Sequence, residues 1–173
     1  KVDLMQQYLG TASGGDGSAA YRRVTQAMAR KALDDAHDFG ASFVRVAISG
    51  TSPIQSGQRG DLDLWLRDPA AYWKLIDQMM SDLESRQLKI VPVFVWNLAQ
   101  FPNMTGEKVD VFFREPDSQA WGLLERYVRE FITHYKQRPA LLFYEIGNEL
   151  NNAADLDIET RCSKGQKVLV CGA

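Results

Sequence analysis

The sequence predicts an α/β protein built on a parallel sheet, and three observations carry that expectation. Short β-branched and aromatic runs recur about every 50 residues, at 42–48, 88–95 and from 140 onward. Between them lie long stretches whose apolar residues fall three or four apart, the spacing of amphipathic helices. The run ALLFYEIGNEL (140–150) is apolar enough to be covered on both faces, as strands of parallel sheets are. Alternation of this kind implies right-handed crossovers and fits two architectures, a doubly wound open sheet or a (β/α)8 barrel.

Taken in order, residues 2–5 (VDLM) read as a short first strand whose start is cut off, and the chain opens on Lys1 as if trimmed. Residues 11–17 (TASGGDG) form a Gly/Ser loop. A helix follows over about 18–39. Its apolar positions are Tyr21, Val24, Met28 and Ala32, then Leu33, Ala36 and Phe39, with Gly40 as the stop. Residues 42–48 make the second strand, and 49–67 a polar loop. Asp68 and Pro69 then start a helix as cap and first residue, with Tyr72, Trp73, Leu75, Ile76, Met79, Met80 and Leu83 inward. Residues 88–95 are a third strand, which Pro92 should make irregular because it cannot donate to a ladder. After a loop over 96–116, Asp117 can cap a helix to about Gln137, with Trp121, Leu124, Val128, Phe131 and Ile132 inward. Glu125 and Arg129 support it from outside. Arg138-Pro139 ends that helix and the fourth strand begins at Ala140. Residues 151–173 are weakly patterned, with 167–170 (KVLV) as a candidate fifth strand.

The 173 residues suffice for a single domain with a real core. A net charge of −2 gives no general attraction to nucleic acid or anionic membranes, and no apolar run approaches the roughly 18 residues of a membrane span. Cys162 and Cys171 either close a small disulfide loop or stay as thiols; their spacing matches no common zinc motif. The glycines of 14–17 precede a helix but lack the Lys-Ser/Thr of a phosphate loop and the spacing of a dinucleotide fingerprint. This leaves a doubly wound nucleotide-binding protein as the weakest reading. Asp61 and Asp63, and Asp155, Asp157 and Glu159, match no complete calcium loop and read as solvated acids. No metal or cofactor is expected. Asn103-Met-Thr105 is a glycosylation sequon.

The chemistry concentrates where the fourth strand ends. Glu145, Gly147 and Glu149 share one face by alternation and Asn148 lies on the other, so Asn148 and Glu149 can meet in one site only if the backbone twists or bulges near Gly147. The segment FYEIGNE (143–149) resembles the fourth-strand motif of clan A glycoside hydrolases, especially family 5, which includes cellulases and β-mannanases. FVRV (43–46), with its lead-in from Gly40, resembles that family's second strand. The resemblance covers residues 1–152. It implies a (β/α)8 TIM barrel of which this chain holds roughly the first four βα units, with 151–173 as an irregular tail.

It further implies that Glu149 is the general acid/base, that Asn148 binds the sugar 2-hydroxyl, and that Arg45 orients and charge-stabilises the carboxylates. Such enzymes pair an acid with a second carboxylate, about 5–5.5 Å apart when configuration is retained. The family's nucleophile sits on strand seven, beyond the four strands visible here. The chain also has Leu150 where the motif often carries Pro, and His37 and His134 both fall on helices.

Trp96 and Asn97 end strand three, where an aromatic face and an amide can hold a sugar; Trp65 and Tyr8 are further cleft candidates. Each of these aromatics can equally pack under its own loop, and Trp73 and Trp121 read as core. Arg45 can also pair with Glu145 as a buried structural ion pair. The resemblance therefore predicts a retaining β-glycosidase for cellulose- or mannan-type chains, secreted or periplasmic. A carbohydrate substrate is its partner, and a C-terminal half-barrel or a second copy covers the open sheet edges. The alternative is a non-catalytic carbohydrate-binding or interaction module derived from such an enzyme.

Overall fold

The computed structural model describes residues 2–12, 15–51 and 60–150. Three parallel strands, β1 (Phe43–Ala47), β2 (Lys89–Val95) and β3 (Glu145–Gly147), lie in the order β1-β2-β3. Seven helices accompany them among the described residues: α1 (Leu4–Leu9), α2 (Ala19–Asp38), α3 (Asp63–Arg67), α4 (Pro69–Glu84), α5 (Gln100–Thr105), α6 (Val109–Arg114) and α7 (Gln119–Tyr135). Helix α4 connects β1 to β2, and α7 connects β2 to β3. The candidate strand at 167–170, the two cysteines and the acids at 155–159 lie outside the described residues.

The strand expected at residues 2–5 is instead the start of a helix. Asp3 caps it, accepting from the Gln6 N–H at 3.1 Å, and Gly10 ends it at φ 76°. Four residues of alternation resemble a strand, but the buried set continues as Leu4, Met5, Tyr8 and Leu9, a helical stripe. Helix α2 spans nearly the expected range but turns a different face inward. Thr25, Gln26, Ala29 and Leu33 are buried, whereas Val24 and Met28 are exposed and Phe39 is 91% exposed. The reason is polar. Thr25 donates to the Gln7 carbonyl at 2.6 Å and Gln26 to the Tyr8 carbonyl at 3.1 Å, so α2 satisfies carbonyls that the last turn of α1 leaves unpaired.

Helix α4 begins as its sequence indicates, with Asp68 accepting from the Ala71 N–H and Pro69 at the first position. The α7 cap is Ser118 rather than Asp117, and its hydroxyl is held by Glu107, which also accepts from the Gln119 and Ala120 N–H groups. Helix α7 buries Ala120, Leu124, Tyr127, Phe131 and Tyr135, while Trp121 is 46% exposed beside Phe112. Its face is set by tyrosines whose hydroxyls find partners inside: Tyr127 donates to the Ile48 carbonyl at 2.8 Å and Tyr135 to that of Trp73 at 3.2 Å.

The core lies between one face of the sheet, including Val46, Ile48, Ile90 and Phe94, and the helices α1, α4 and α7. Strand β2 is regular through Pro92, which stands opposite Val46. The irregularity falls on its neighbour. Ile90 faces Leu141, yet Val93 faces Glu145, so three steps along β2 are matched by four on the third-strand side. That extra residue is a bulge beside the one β2 position without an N–H. It explains why Leu141 and Tyr144, an odd number of residues apart, both pack on the core. It also sets the phase that puts Glu145 on the face of Arg45.

Candidate functional site

Three consecutive parallel strands bring one cluster together, with Arg45 and Glu145 within β1 and β3 and Trp96 and Asn148 just past the carboxyl ends of β2 and β3. Arg45 stands in β1 opposite Val91, and Glu145 stands in β3 opposite Val93. Paired residues of a parallel ladder share a face, so the guanidinium reaches over the valines of β2 to the carboxylate. Arg45 Nε donates to Glu145 Oε2 at 2.7 Å and Nη2 to Oε1, a bidentate pair. The expected ion pair is therefore present, but not as a buried one. The Glu145 carboxylate shifts the Arg45 pKa upward, and the Arg45 hydrogen bonds hold the Glu145 carboxyl below its ordinary range. The side chains remain about one-third exposed, at 38% and 31%.

Arg45 Nη2 also donates to Asn148 Oδ1 at 3.0 Å. A guanidinium is donor-only, so this contact fixes the amide's orientation and turns its NH2 group away from Arg45. The Asn148 backbone N–H donates to the Val95 carbonyl at 2.8 Å, which pins the residue to the end of β2. Glu149 then takes the left-handed conformation at φ 47°. The sequence demanded a departure from strand geometry near Gly147 for Asn148 and Glu149 to serve one site. The departure occurs at Glu149 itself, and Leu150 folds back so that its side chain lies 2.5 Å from where a Gly147 Cβ would stand. Glu149 is exposed, and its charge contributes to the field that raises the Arg45 pKa. Trp96, just past β2, is half-buried, with the Arg45 guanidinium 5.0 Å from its ring centroid.

The other candidates lie elsewhere. Trp65 is fully buried, donates to Glu130 at 2.7 Å, and packs edge-on against Tyr127, so it is a core residue rather than part of a sugar cleft. Tyr8 is also fully buried and donates to Asp82 at 2.6 Å; burial, then that carboxylate, drive its pKa far upward. Both follow from helices α1 and α3 carrying aromatic positions into the core, where a strand and its following residues and a polar loop had been expected. Asn97 is half-buried, and its Oδ1 accepts from the Ala99 N–H at 2.9 Å, the contact of a turn leading into α5. Asp61, read as a solvated acid, is only 2% exposed and accepts from Thr11 at 2.9 Å and Gln6 at 3.3 Å. Among the described residues, no group of three or more His, Cys, Asp or Glu is placed to hold a metal ion, and no helix is long and apolar enough to cross a membrane.

Sequence reasoning missed the polar wall beside this cluster. Asp3, Gln6 and Thr51 line a cavity that also reaches Arg45 and Trp96. The available signal was Asp3 one residue before the apolar stripe, the position of a helix cap, which would have placed Asp3 and Gln6 on the first turn of a helix. No family model matches the chain, and no curated protein is similar to it.

Proposed function

We propose that this protein belongs to a family-5-like retaining β-glycosidase acting on β-linked polysaccharide of cellulose or mannan type, with these three strands as part of a (β/α)8 barrel. The supporting observation is that Arg45 and Glu145 share one face of the sheet with Trp96 and Asn148 just past the carboxyl ends of β2 and β3, and Glu149 alongside. That is the end at which barrel enzymes build their sites. The connecting helices α4 and α7 join one core cluster with a single face of the sheet, as a barrel's outer layer does.

In this reading Glu149 protonates the glycosidic oxygen of the leaving sugar. A second carboxylate, about 5–5.5 Å away, attacks the anomeric carbon and is later released by water that Glu149 deprotonates. That carboxylate comes from the remaining barrel half or from a second copy. Asn148 offers its NH2 group to the sugar 2-hydroxyl, a bond that strengthens as charge develops on the ring and so lowers the barrier. Arg45 acts through Asn148, holding its Oδ1, while Glu145 serves as the counter-ion of Arg45. Trp96 presents an aromatic surface to the sugar. A polymeric substrate of this kind implies a secreted or periplasmic location.

The test offers soluble β-mannan and β-glucan to the protein expressed from its complete gene. Reducing-sugar release should fall by about 10²–10⁴-fold in Glu149→Gln. Hydrolysis by that variant at the wild-type rate would remove the acid/base role. Oligosaccharide binding lost in Trp96→Ala, with no turnover in any form, would favour the binding-module alternative.

A further inference from the structure

We propose that the outward face of α2 is a self-association surface, on which a second copy of this chain lays its own α2 antiparallel. Helix α2 carries two apolar stripes. The inner one, with Ala29 and Leu33, is buried, and the contacts of Thr25 and Gln26 with α1 fix that face inward. The other, Val24, Met28 and Ala32, continued by Ala20 and Ala27, therefore points outward and lines a broad groove of about 880 Å³. Val24 is 61% and Met28 57% exposed. Apolar residues three and four apart, sustained over more than three turns, are the pattern by which one helix packs on another. The alanines let a second helix approach closely, because the distance between packed helices follows the side chains at the contact. None of Arg45, Trp96, Asn148 or Glu149 lines this groove, so the surface stands whether or not that cluster binds sugar.

Charge sets the partner and its direction. Exposed Arg23 stands near the amino end of the stripe, and Lys31 and Asp35 near its carboxyl end, where Lys31 Nζ donates to Asp35 at 2.6 Å. When two copies cross antiparallel with Ala27 and Met28 at the two-fold axis, one protomer's Val24 meets the stem of the partner's Lys31, and its Ala20 meets the partner's Asp35. That carboxylate then lies one helical turn from Arg23, within reach of the guanidinium, and symmetry repeats the pair. A parallel pairing instead sets Arg23 against Arg23 and Asp35 against Asp35, which is repulsive. The face is complementary to itself in one orientation, as a two-fold contact requires. The stripe is about 22 Å long and about 10 Å wide, so a contact limited to it falls below the roughly 1,200 Å² of a stable interface. The dimer is accordingly weak and reversible.

Sedimentation velocity on the wild-type protein, from about 10 µM to about 1 mM, reads the association, with an expected Kd on the order of 0.1 mM. Met28→Glu puts two carboxylates at the axis and should weaken the dimer at least about tenfold. Arg23→Glu and Asp35→Arg, each alone, oppose like charges across the contact and should weaken it by about threefold to tenfold. An equimolar mixture of those two variants opposes unlike charges again and should recover wild-type association. All three side chains lie on the solvent side of α2, so the variants should fold as the wild type does. A wild type that stays monomeric at about 1 mM would overturn the surface. So would a dimer that Met28→Glu leaves unchanged, or a mixture of the charge variants that associates no better than either alone.

Discussion

Breaking the Arg45–Glu145 pair tests whether the cluster is held as the structure shows. Arg45→Met removes both hydrogen bonds to Glu145 and the one to Asn148 while keeping the aliphatic stem. A fully buried pair broken on one side costs about 3–5 kcal/mol, and exposed pairs are worth about 0.2–1 kcal/mol. With side chains 38% and 31% exposed, water reaches the orphaned groups, so the cost belongs near the lower range. The two-pronged geometry places it toward the top of that range. A double-mutant cycle of Arg45→Met and Glu145→Gln should therefore give a coupling of about 1 kcal/mol at pH 7. Urea unfolding followed by tryptophan fluorescence measures it. The pH dependence has a definite sign. The native Glu145 carboxyl lies below its ordinary value, so its contribution is complete above the unfolded-state pKa of about 4.3 and disappears as pH falls through the lower native value. Wild-type and Glu145→Gln stabilities should differ equally at pH 7 and about 5.5, then converge below about pH 4. A coupling near zero, one above about 3 kcal/mol, or a difference that grows on acidification would refute the arrangement.

Two further outcomes test the helix faces. Tyr127 donates to the Ile48 carbonyl at 2.8 Å and shares a 2.7 Å contact with Tyr72, whose own distance to that carbonyl is 3.5 Å. Tyr127→Phe should thus destabilise by about 1–2 kcal/mol and Tyr72→Phe by less, as read from urea midpoints; the reverse order would mean the donors are misassigned. Phe131, fully buried between Phe94 and Tyr135, should cost about 3–5 kcal/mol as Ala, whereas Phe39→Ala on the exposed end of α2 should stay within about 0.5 kcal/mol. A large loss at Phe39 in thermal or urea unfolding would show that this face of α2 is covered in solution.

The sequence by itself determined the elements carried by strong local signals. Asp68-Pro69 sets the start of α4, Gly40 follows the end of α2, and the β-branched runs at 43–47 and 89–95 form strands, because capping and pleated-surface preferences act within a few residues. Tertiary structure decided what depends on distant partners. Helix α1 is the exception, a local signal that the strand reading overlooked: the Asp3 cap and the stripe Leu4, Met5, Tyr8 and Leu9. The face of α2 is set by carbonyls of α1, to which Thr25 and Gln26 donate, and no periodicity within α2 contains that information. Trp65 and Tyr8 lie in the core because Glu130 and Asp82 accept their polar hydrogens there. The site itself depends on the bulge opposite Pro92 and on the left-handed turn at Glu149. Pro92 acts through the hydrogen bond it cannot make to another strand, so its effect on the phase of Glu145 emerges only when the two strands are paired.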